Sequence, residues 1–309
     1  GHSFFMKYRY PAMLHTMPKN LVIFGGFVIG LILMVSIYGV LHARRVYVRQ
    51  DPVVIEKSSS LPGLKIALIA DLHLGYNSTK SHVRKIVDTI NSQNVDLVCI
   101  AGDLFDNDYN AIKDPDEVAD ILSDIKSRYG TYACWGNHDV SEKILAGFTF
   151  PQKETIVRDG RFTEFLHHAG ITMLEDETVC IDNAFYLVGR RDKDMAKKEQ
   201  LLRKTFSEIT EPLDPSLPII VMDHQPGELS EASDAGVDLD LSGHTHDGQM
   251  FPANLVVHFL WENACGVLKK GSMTSIVTSG AGVWGPAMRV GTNNEVVIAN
   301  VSFDPATDQ

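Results

Sequence analysis

Cysteine is scarce in this sequence and never occurs as a CxxC pair. The four cysteines among the 309 residues are Cys99, Cys134, Cys180 and Cys265. Zinc knuckles and disulfide scaffolds need clustered or regularly spaced cysteines, so both classes are excluded. A chain of this length can bury a core without such crosslinks, in one large domain or two smaller ones.

Positive charge is also in short supply. Lys and Arg number 28 against 39 Asp and Glu, which gives a formal net charge of −11. An acidic chain does not attract a phosphate backbone by its overall field, so we expect no nucleic-acid partner. Acidic residues are missing altogether from residues 1–50, which hold six Lys and Arg, and the first acid is Asp51. The negative charge therefore lies in the rest of the chain, where bound metal ions could neutralise part of it.

One long run has no charged residue at all. Residues 21–41 read LVIFGGFVIGLILMVSIYGVL. At 1.5 Å per residue this run spans about 30 Å, the thickness of a bilayer core. A secretory signal peptide would have a shorter apolar core followed by a small-residue cleavage site, whereas Arg44 and Arg45 follow this run. The run therefore predicts a helix that anchors the chain in the cell membrane.

The anchor divides the chain into four predicted parts. Residues 1–20 form an N-terminal flank, 21–41 the transmembrane helix, 42–62 a linker and 63–303 the folded domain. Pro52, Pro62 and the three serines at 58–60 favour an exposed, irregular linker. Positive residues flank the helix in similar number on both sides, so the positive-inside rule leaves the side of the membrane open. Residue 1 is Gly rather than Met, and each additional upstream helix would reverse that side.

Apolar runs alternate with helical patterns through the predicted domain. Residues 64–70, 96–101 and 130–135 read as buried strands. Between them, Ser78 or Thr79 can cap one helix, and Pro115 can open another. Strands interleaved with helices predict an α/β fold, and the large number of strands predicts two sheets packed face to face.

Five clusters of polar residues follow directly on apolar strands. They are Asp71-Leu72-His73, Gly102-Asp103-Leu104-Phe105-Asp106, Gly136-Asn137-His138-Asp139, Asp223-His224-Gln225-Pro226 and Gly243-His244-Thr245-His246. Because strand ends form the ligand crevice of α/β sheets, we expect these side chains to meet. Asp, Asn and His without Cys suit divalent ions such as manganese, iron or zinc.

The spacing within these clusters predicts how the ions are held. In an extended segment, residues i and i+2 point the same way, so Asp71 and His73 could hold one ion. The same argument pairs His244 with His246. The single carboxylate of Asp103 could bridge two ions, and two ions about 3.5–4 Å apart can clamp a phosphoryl group and activate a hydroxide.

The set DxH, GDxxD, GNHD, a strand-end His and GHTH resembles the calcineurin-like metallophosphoesterases. The resemblance runs from about Leu64 to Val301, and GHTHDGQ at 243–249 with GVWGPAMR at 282–289 is similar to the membrane-associated bacterial branch, the YkuE- and YaeI-like proteins. It implies a four-layer α/β/β/α sandwich of two mixed sheets. It also implies one metal on Asp71, His73, Asp103 and His246, and a second on Asp103, Asn137, His224 and His244.

The resemblance also assigns further roles. His138 would contact the phosphoryl oxygen or protonate the leaving group, Asp139 would orient the His138 ring, and Asp106 would act similarly on a metal ligand. The branch usually has Gly after GHTH, whereas this chain has Asp247, which adds a negative charge near the metals. The expected cofactors are two divalent ions per chain, with manganese favoured over iron or zinc.

These features predict a membrane-anchored phosphoesterase that cleaves a mono- or diester with a hydroxide activated by two metals. The alternatives are a lipid-linked pyrophosphatase of the same mechanism and a catalytically silent metal-binding scaffold for protein partners. The apolar stretch 253–261 and Trp284 suggest a lipid-linked substrate, but the same residues could instead form core and a helix face. Arg289 could clamp a phosphate or form a surface salt bridge. The physiological substrate and the oligomeric state are left open.

Overall fold

The computed structural model describes residues 18–142 and 158–304, and between them only the backbone of two short strands. Its strands, in chain order, are β1 (Tyr47–Ile55), β2 (Leu64–Ile69), β3 (Leu97–Ala101), β4 (Thr131–Cys134), β5 (Ile144–Leu145), β6 (Phe148–Thr149), β7 (Ile171–Met173), β8 (Glu177–Ile181), β9 (Phe185–Gly189), β10 (Ile219–Met222), β11 (Leu239–Ser242), β12 (Gly266–Lys270), β13 (Met273–Val277) and β14 (Glu295–Phe303).

Helices separate these strands, and two of them start at the predicted residues. Thr79 caps α2 by accepting a hydrogen bond from the His82 N–H at 3.2 Å, and Pro115 occupies the first turn of α3. The α-helices are α1 (Lys19–His42), α2 (Lys80–Ser92), α3 (Pro115–Ser123), α4 (Gly160–His168), α5 (Lys193–Glu199), α6 (Phe206–Thr210), α7 (Leu229–Asp234) and α8 (Ala253–Leu260).

Two six-stranded mixed sheets form the body. The first has the order β1-β14-β2-β3-β4-β7, and the second has the order β12-β13-β11-β10-β9-β8. In the first sheet β2, β3, β4 and β7 run parallel, and β14 pairs antiparallel with β2. In the second, β9, β10, β11 and β13 run parallel, with antiparallel strands at both edges. Parallel strands place their carboxyl ends at one edge, which is where the polar clusters follow.

Period-2 alternation explains how the central strands are buried on both faces. In β2, Ile66 and Leu68 join the core between the two sheets, whereas Ala67 and Ile69 join a second core under α2, α3 and α4. In β10, Ile220 enters the central core, whereas its neighbours enter a third core that Phe206 of α6 and Leu229 of α7 share. Three cores between four layers confirm the predicted α/β/β/α sandwich.

The long apolar helix α1 stands outside these cores except at its end. Its side chains are exposed along most of its length, and the helix is long and apolar enough to cross a membrane. Among the described residues, the body contacts α1 at its last turn. Gly39 is buried, the Gly39 carbonyl accepts from the Arg289 N–H at 3.0 Å, and a His42 ring nitrogen lies 3.1 Å from the Thr292 carbonyl.

The prediction of an irregular linker over residues 42–62 is wrong for residues 47–55. Residues 47–55 form β1, which pairs in parallel with β14 along nine residues. Val53 and Ile55 are fully buried in the central core. Pro52 is tolerated because β1 is an edge strand whose outer side carries no partner strand among the described residues. The folded body therefore starts at Tyr47 and not at Gly63.

Candidate metal centre

The polar clusters meet at the point where the carboxyl ends of both sheets adjoin. Asp71 follows β2, Asp103 follows β3 and Asn137 follows β4 in the first sheet, while His224 follows β10 and His244 follows β11 in the second. The seven predicted metal ligands therefore approach one place from five strands. They are Asp71, His73, Asp103, Asn137, His224, His244 and His246.

The first group of ligand atoms comes from Asp71, His73 and His246, all buried and within 4.8 Å of one another. The two imidazole Nε2 atoms of His73 and His246 lie 3.0 Å apart, and the His246 Nε2 lies 3.6 Å from the Asp71 Oδ1. Buried imidazole nitrogens and a carboxylate oxygen that converge in this way are the donor set of a divalent metal site.

The second group comes from Asp103, His224 and His244. The His224 Nε2 lies 3.1 Å from the Asp103 Oδ2 and 3.3 Å from the His244 Nδ1. The Asn137 Oδ1 lies 3.1 Å from the same His224 Nε2, so this amide oxygen is placed as a fourth donor. The other ring nitrogen of His224 contacts the Ala101 carbonyl at 2.8 Å, which fixes the orientation of the ring.

Asp103 stands between the two groups. Its Oδ2 lies 3.1 Å from the His224 Nε2 and 3.8 Å from the His73 Nε2. Its Oδ1 accepts the His138 N–H at 2.8 Å, which holds the carboxylate in place. One carboxylate oxygen therefore faces both clusters, as a bridging ligand must.

The local backbone differs from the extended segments that the spacing argument assumed. Asp71 and His73 have φ of 56° and 44°, and His244 and His246 have φ of 71° and 52°. The backbone of both segments is therefore not extended at these residues, directly after the strands. Asp71 and His73 still share one group, but His244 and His246 belong to different groups, so the pairing of these two on one ion is wrong.

Two glycines are required where the chain passes the ligands. A Cβ on Gly136 would lie 2.2 Å from the Asp103 Oδ1, and a Cβ on Gly102 would lie 2.5 Å from the His224 Nδ1. Gly102 also has a φ of 81°, a conformation that L side chains rarely adopt. The glycines of GDLFD and GNHD thus let the backbone approach the metal ligands closely.

The His138 ring is held by Asn107 and not by Asp139. The His138 Nδ1 is within hydrogen-bond distance of the Asn107 Oδ1, so an Nδ1–H donor leaves Nε2 free for the cavity. Asp139 accepts the Gly136 N–H at 2.7 Å and the Phe105 N–H at 2.8 Å. Its carboxylate therefore braces the GNHD turn, because both of its oxygens are occupied by backbone donors.

Arg289 is a buried brace and cannot clamp a substrate phosphate. The residue is fully buried, and its guanidinium donates to the carbonyls of His246 at 3.0 Å and Gly282 at 2.8 Å. Its Nε donates to the Asn294 Oδ1 at 2.6 Å. Both interpretations offered for it, a phosphate clamp and a surface salt bridge, are therefore wrong.

Asp106 and Asp247 are acidic residues that lie next to the candidate metal ligands His73 and His246. The Asp106 Oδ1 lies 3.6 Å from the His73 Nδ1, which is too long for a hydrogen bond. Asp247, with φ of 51°, pairs with the exposed His258 at 2.9 Å. The Asp247 carboxylate thus has a hydrogen-bond partner in a neighbouring imidazole.

Burial dominates the electrostatics of the clusters. It raises the pKa of Asp71 to about 6 and lowers the pKa of His244 to about 3 and of His138 to about 4. Burial alone would also raise the pKa of Asp103, but the nearby His224 imidazole holds that pKa well below its usual value. Crowded buried carboxylates of this kind favour binding of divalent cations.

Two polar residues at the site, Asn107 and Lys198, were not singled out in the sequence, whereas its aromatic residues lie in stretches that were. Asn107 and Lys198 lie outside the five clusters, although the Lys198 Nζ donates to the Asn137 carbonyl at 3.0 Å. The Trp261 ring stands edge-on to His244 at 5.3 Å, and the Trp284 ring lies 6.2 Å from His138. Trp284 and Gln249 line a cavity of about 300 Å³, together with Asp103, His138 and His246.

Comparisons with known proteins agree with this geometry. The family model described as calcineurin-like phosphoesterase matches residues 64–248. A Helicobacter pylori uncharacterized metallophosphoesterase is 32% identical over 251 residues, covering 81% of this chain and 62% of that protein. A Danio rerio transmembrane protein with a metallophosphoesterase domain is 28% identical, with coverage of 85% and 59%. The Bacillus subtilis uncharacterized metallophosphoesterase YkuE is 27% identical, with 63% of each covered. The chain thus spans about three fifths of the length of these curated relatives.

Proposed function

This chain belongs to the calcineurin-like phosphoesterase family, and we propose that it hydrolyses a phosphate mono- or diester at the two Asp/His clusters. The observation that carries the proposal is the Asp103 carboxylate, which faces His224 of one cluster and His73 of the other. A scaffold that only kept the fold would have no need of a bridging carboxylate and a free imidazole at one cavity.

Two divalent ions, when bound, supply Lewis acidity and an activated water. Manganese is the proposed metal, with iron and zinc as alternatives, because the donors are carboxylate, amide and imidazole with no thiolate. Asp71, His73, Asp103 and His246 would hold one ion, and Asp103, Asn137, His224 and His244 the other. The cavity residues that hold no metal ion would position the substrate and move a proton.

His138 is the proposed proton donor or phosphate contact. Its Nδ1 is engaged by Asn107, its backbone N–H binds Asp103, and its ring lines the cavity. With Nδ1–H held by Asn107, the ring must take a second proton at Nε2, a change that a phosphate anion in the cavity would favour. The resulting imidazolium can deliver that proton to the leaving oxygen or donate a hydrogen bond to a phosphoryl oxygen. The Trp284 ring lines the same cavity, 6.2 Å from the His138 ring, and would contact the substrate.

We further propose that α1 anchors the chain in a membrane and that the phosphoester is lipid-linked, as an ester or a pyrophosphate. The support is that the last turn of α1 packs on residues 288–292, the segment that also braces His246 through Arg289. The site therefore stands beside the end of the anchor. Preference for lipid phosphoesters over water-soluble ones in detergent would agree with this, and equal rates on both would contradict it.

The direct test is hydrolysis by the metal-stripped full chain in detergent. Bis-p-nitrophenyl phosphate and p-nitrophenyl phosphate are offered with manganese, zinc, iron, magnesium or no metal. We expect a transition metal to restore turnover, Asp103→Ala to abolish it, and the exposed-residue control Asp88→Ala to keep it. Two ions bound per chain without hydrolysis of any ester would contradict the proposed activity.

A further inference from the structure

Helix α8 turns its apolar side outward. Leu255 and Val256 are each 54% exposed, Phe259 is 90% exposed and Leu260 is 73% exposed. At about 100° per residue these four positions cover one face about 140° wide. Phe251, just before the helix, is 63% exposed and extends the same surface. The interpretation of residues 253–261 as core and a helix face is therefore right about the helix, whereas Val257 is the one residue of this stretch that is buried.

The opposite face of α8 packs on the metal centre. Val257 is buried, and a Cβ on Gly248 would lie 2.4 Å from the Asn254 backbone nitrogen. His258 pairs with Asp247, and Trp261 at the end of the helix contacts the His244 ring. The helix is therefore held firmly against the His244–Gly248 segment, and its outward apolar face is a fixed surface of the body.

This surface lies next to the end of α1. The Phe251 N–H donates to the Val290 carbonyl at 2.8 Å. The Val290 side chain in turn packs on Gly39, where an added Cβ would lie 2.9 Å from it. One residue, Val290, thus separates the last turn of α1 from the start of the α8 surface. Arg44 and Arg45, both exposed, follow α1 directly.

We infer that the outward face of α8, extended by Phe251, inserts into the same lipid leaflet that holds the end of α1. The partner is a lipid bilayer, and the inference rests on the membrane anchoring proposed above. An exposed apolar helix face beside a membrane helix has the form of an interfacial helix, which buries its apolar side about 5–10 Å deep. Arg44 and Arg45 would then lie at the level of the headgroups, where their side chains reach lipid phosphates.

A lipid surface fits this patch better than a second copy of the chain. A stable dimer interface takes about 800 Å² and 20–30 residues per partner. The α8 surface offers five apolar side chains and is continuous with a helix that is itself apolar enough to span a bilayer. Insertion would hold the cavity of the metal centre at the bilayer surface, where a lipid phosphate could enter without leaving the membrane.

The test measures the depth of α8 in the full chain, incorporated as one copy per lipid nanodisc. Phe259→Trp reports on α8, and Ile37→Trp, at a residue 61% exposed near the end of α1, is the positive control. Leu202→Trp, at a residue 93% exposed between α5 and α6, is the matched negative control. Lipids brominated near the glycerol end of their acyl chains quench tryptophan at interfacial depth. The emission is read as the difference from the unsubstituted chain in the same discs.

We expect F259W emission to shift to the blue and to fall by more than half in brominated discs, while L202W is unchanged. Quenching of I37W without quenching of F259W would overturn the α8 inference and leave the anchor in place. If neither variant is quenched, both the α8 inference and the proposed anchor are overturned. If two copies pair through α8 in detergent and F259W is not quenched in single-copy discs, the α8 face belongs to a dimer interface. Hydrolysis of bis-p-nitrophenyl phosphate by each variant reports the proposed activity separately.

Discussion

Arg289 binds Gly39 through its backbone, with its N–H donating to the Gly39 carbonyl at 3.0 Å. The guanidinium of the same residue donates to the carbonyl of the metal ligand His246 at 3.0 Å and to the carbonyl of Ser279 at 2.6 Å. The apolar helix α1 and the candidate metal centre therefore share one residue, which links the position of the body on α1 to the shape of the site.

Arg289→Ala is expected to destabilise the fold and weaken metal binding. Removing a buried guanidinium leaves the carbonyls of His246, Ser279 and Gly282 without their donors, and such losses cost about 3–5 kcal/mol. The checks are thermal unfolding and competition for manganese against a chelating dye. Arg84→Ala, at an exposed ion pair with Asp124, is the control and should change stability by less than about 0.5 kcal/mol. Unchanged unfolding and metal affinity in R289A would contradict the bracing role.

Asn107 is expected to act on turnover through His138. Asn107→Ala removes the acceptor on the His138 Nδ1, so kcat should fall about 10–100-fold while two ions still bind. His138→Ala should lower kcat by about 10²–10⁴-fold with the same metal content.

Asn107→Asp is the matched variant, because it keeps an oxygen acceptor at the same place. We expect it to recover most of the rate and to move the pH profile upward, since a carboxylate beside His138 favours the imidazolium. If N107A and N107D lose activity equally with an unshifted profile, Asn107 has only a packing role.

Deletion of residues 1–62 should unfold the body, whereas deletion of residues 1–43 should not. The shorter deletion keeps β1, which pairs with β14 along nine residues and buries Val53 and Ile55. Burial of each such side chain contributes about 1.5–3 kcal/mol, and its loss would also leave β14 as an unpaired edge. Thermal unfolding in detergent compares the two chains. Equal midpoints would mean that β1 adds nothing to the body.

Asp240 should make the protein less stable as the pH rises from about 4 to 7. Burial, together with the Asp223 carboxylate, raises the pKa of Asp240 to about 7. The folded state then binds more protons than the unfolded state across this interval, so the free energy of unfolding falls with rising pH. The full shift corresponds to an upper bound of about 4 kcal/mol.

Asp240→Asn removes this titration and can still accept from Ser242 and Ser275. We expect D240N to raise the unfolding midpoint at pH 8 and to change it little at pH 4. The exposed Asp88→Asn serves as the control. An equal gain at both pH values would show that the carboxylate of Asp240 is not the group that titrates.

The polar clusters at the strand ends could be predicted because the candidate ligand residues come directly after the apolar runs that form the strands. Short apolar runs located β2, β3, β4, β10 and β11, and the residues after them are the ligands that meet in space. The edge strand β1 was missed because Pro52 and nearby serines resemble a linker, and its partner β14 lies more than 240 residues away in sequence. Pairing over that distance leaves no local periodicity to detect.

The sequence by itself determined the types of ligand, their place after buried strands, the family and the apolar helix near the N-terminus. Tertiary structure alone decided that Asn107 and not Asp139 holds His138, that Arg289 points inward and that residues 47–55 form an edge strand. The physical reason is that the residue types of a site can be read from the sequence directly. The direction in which each side chain points depends instead on backbone dihedral angles, such as the positive φ of His246, and on partners that the packing of the two sheets brings together.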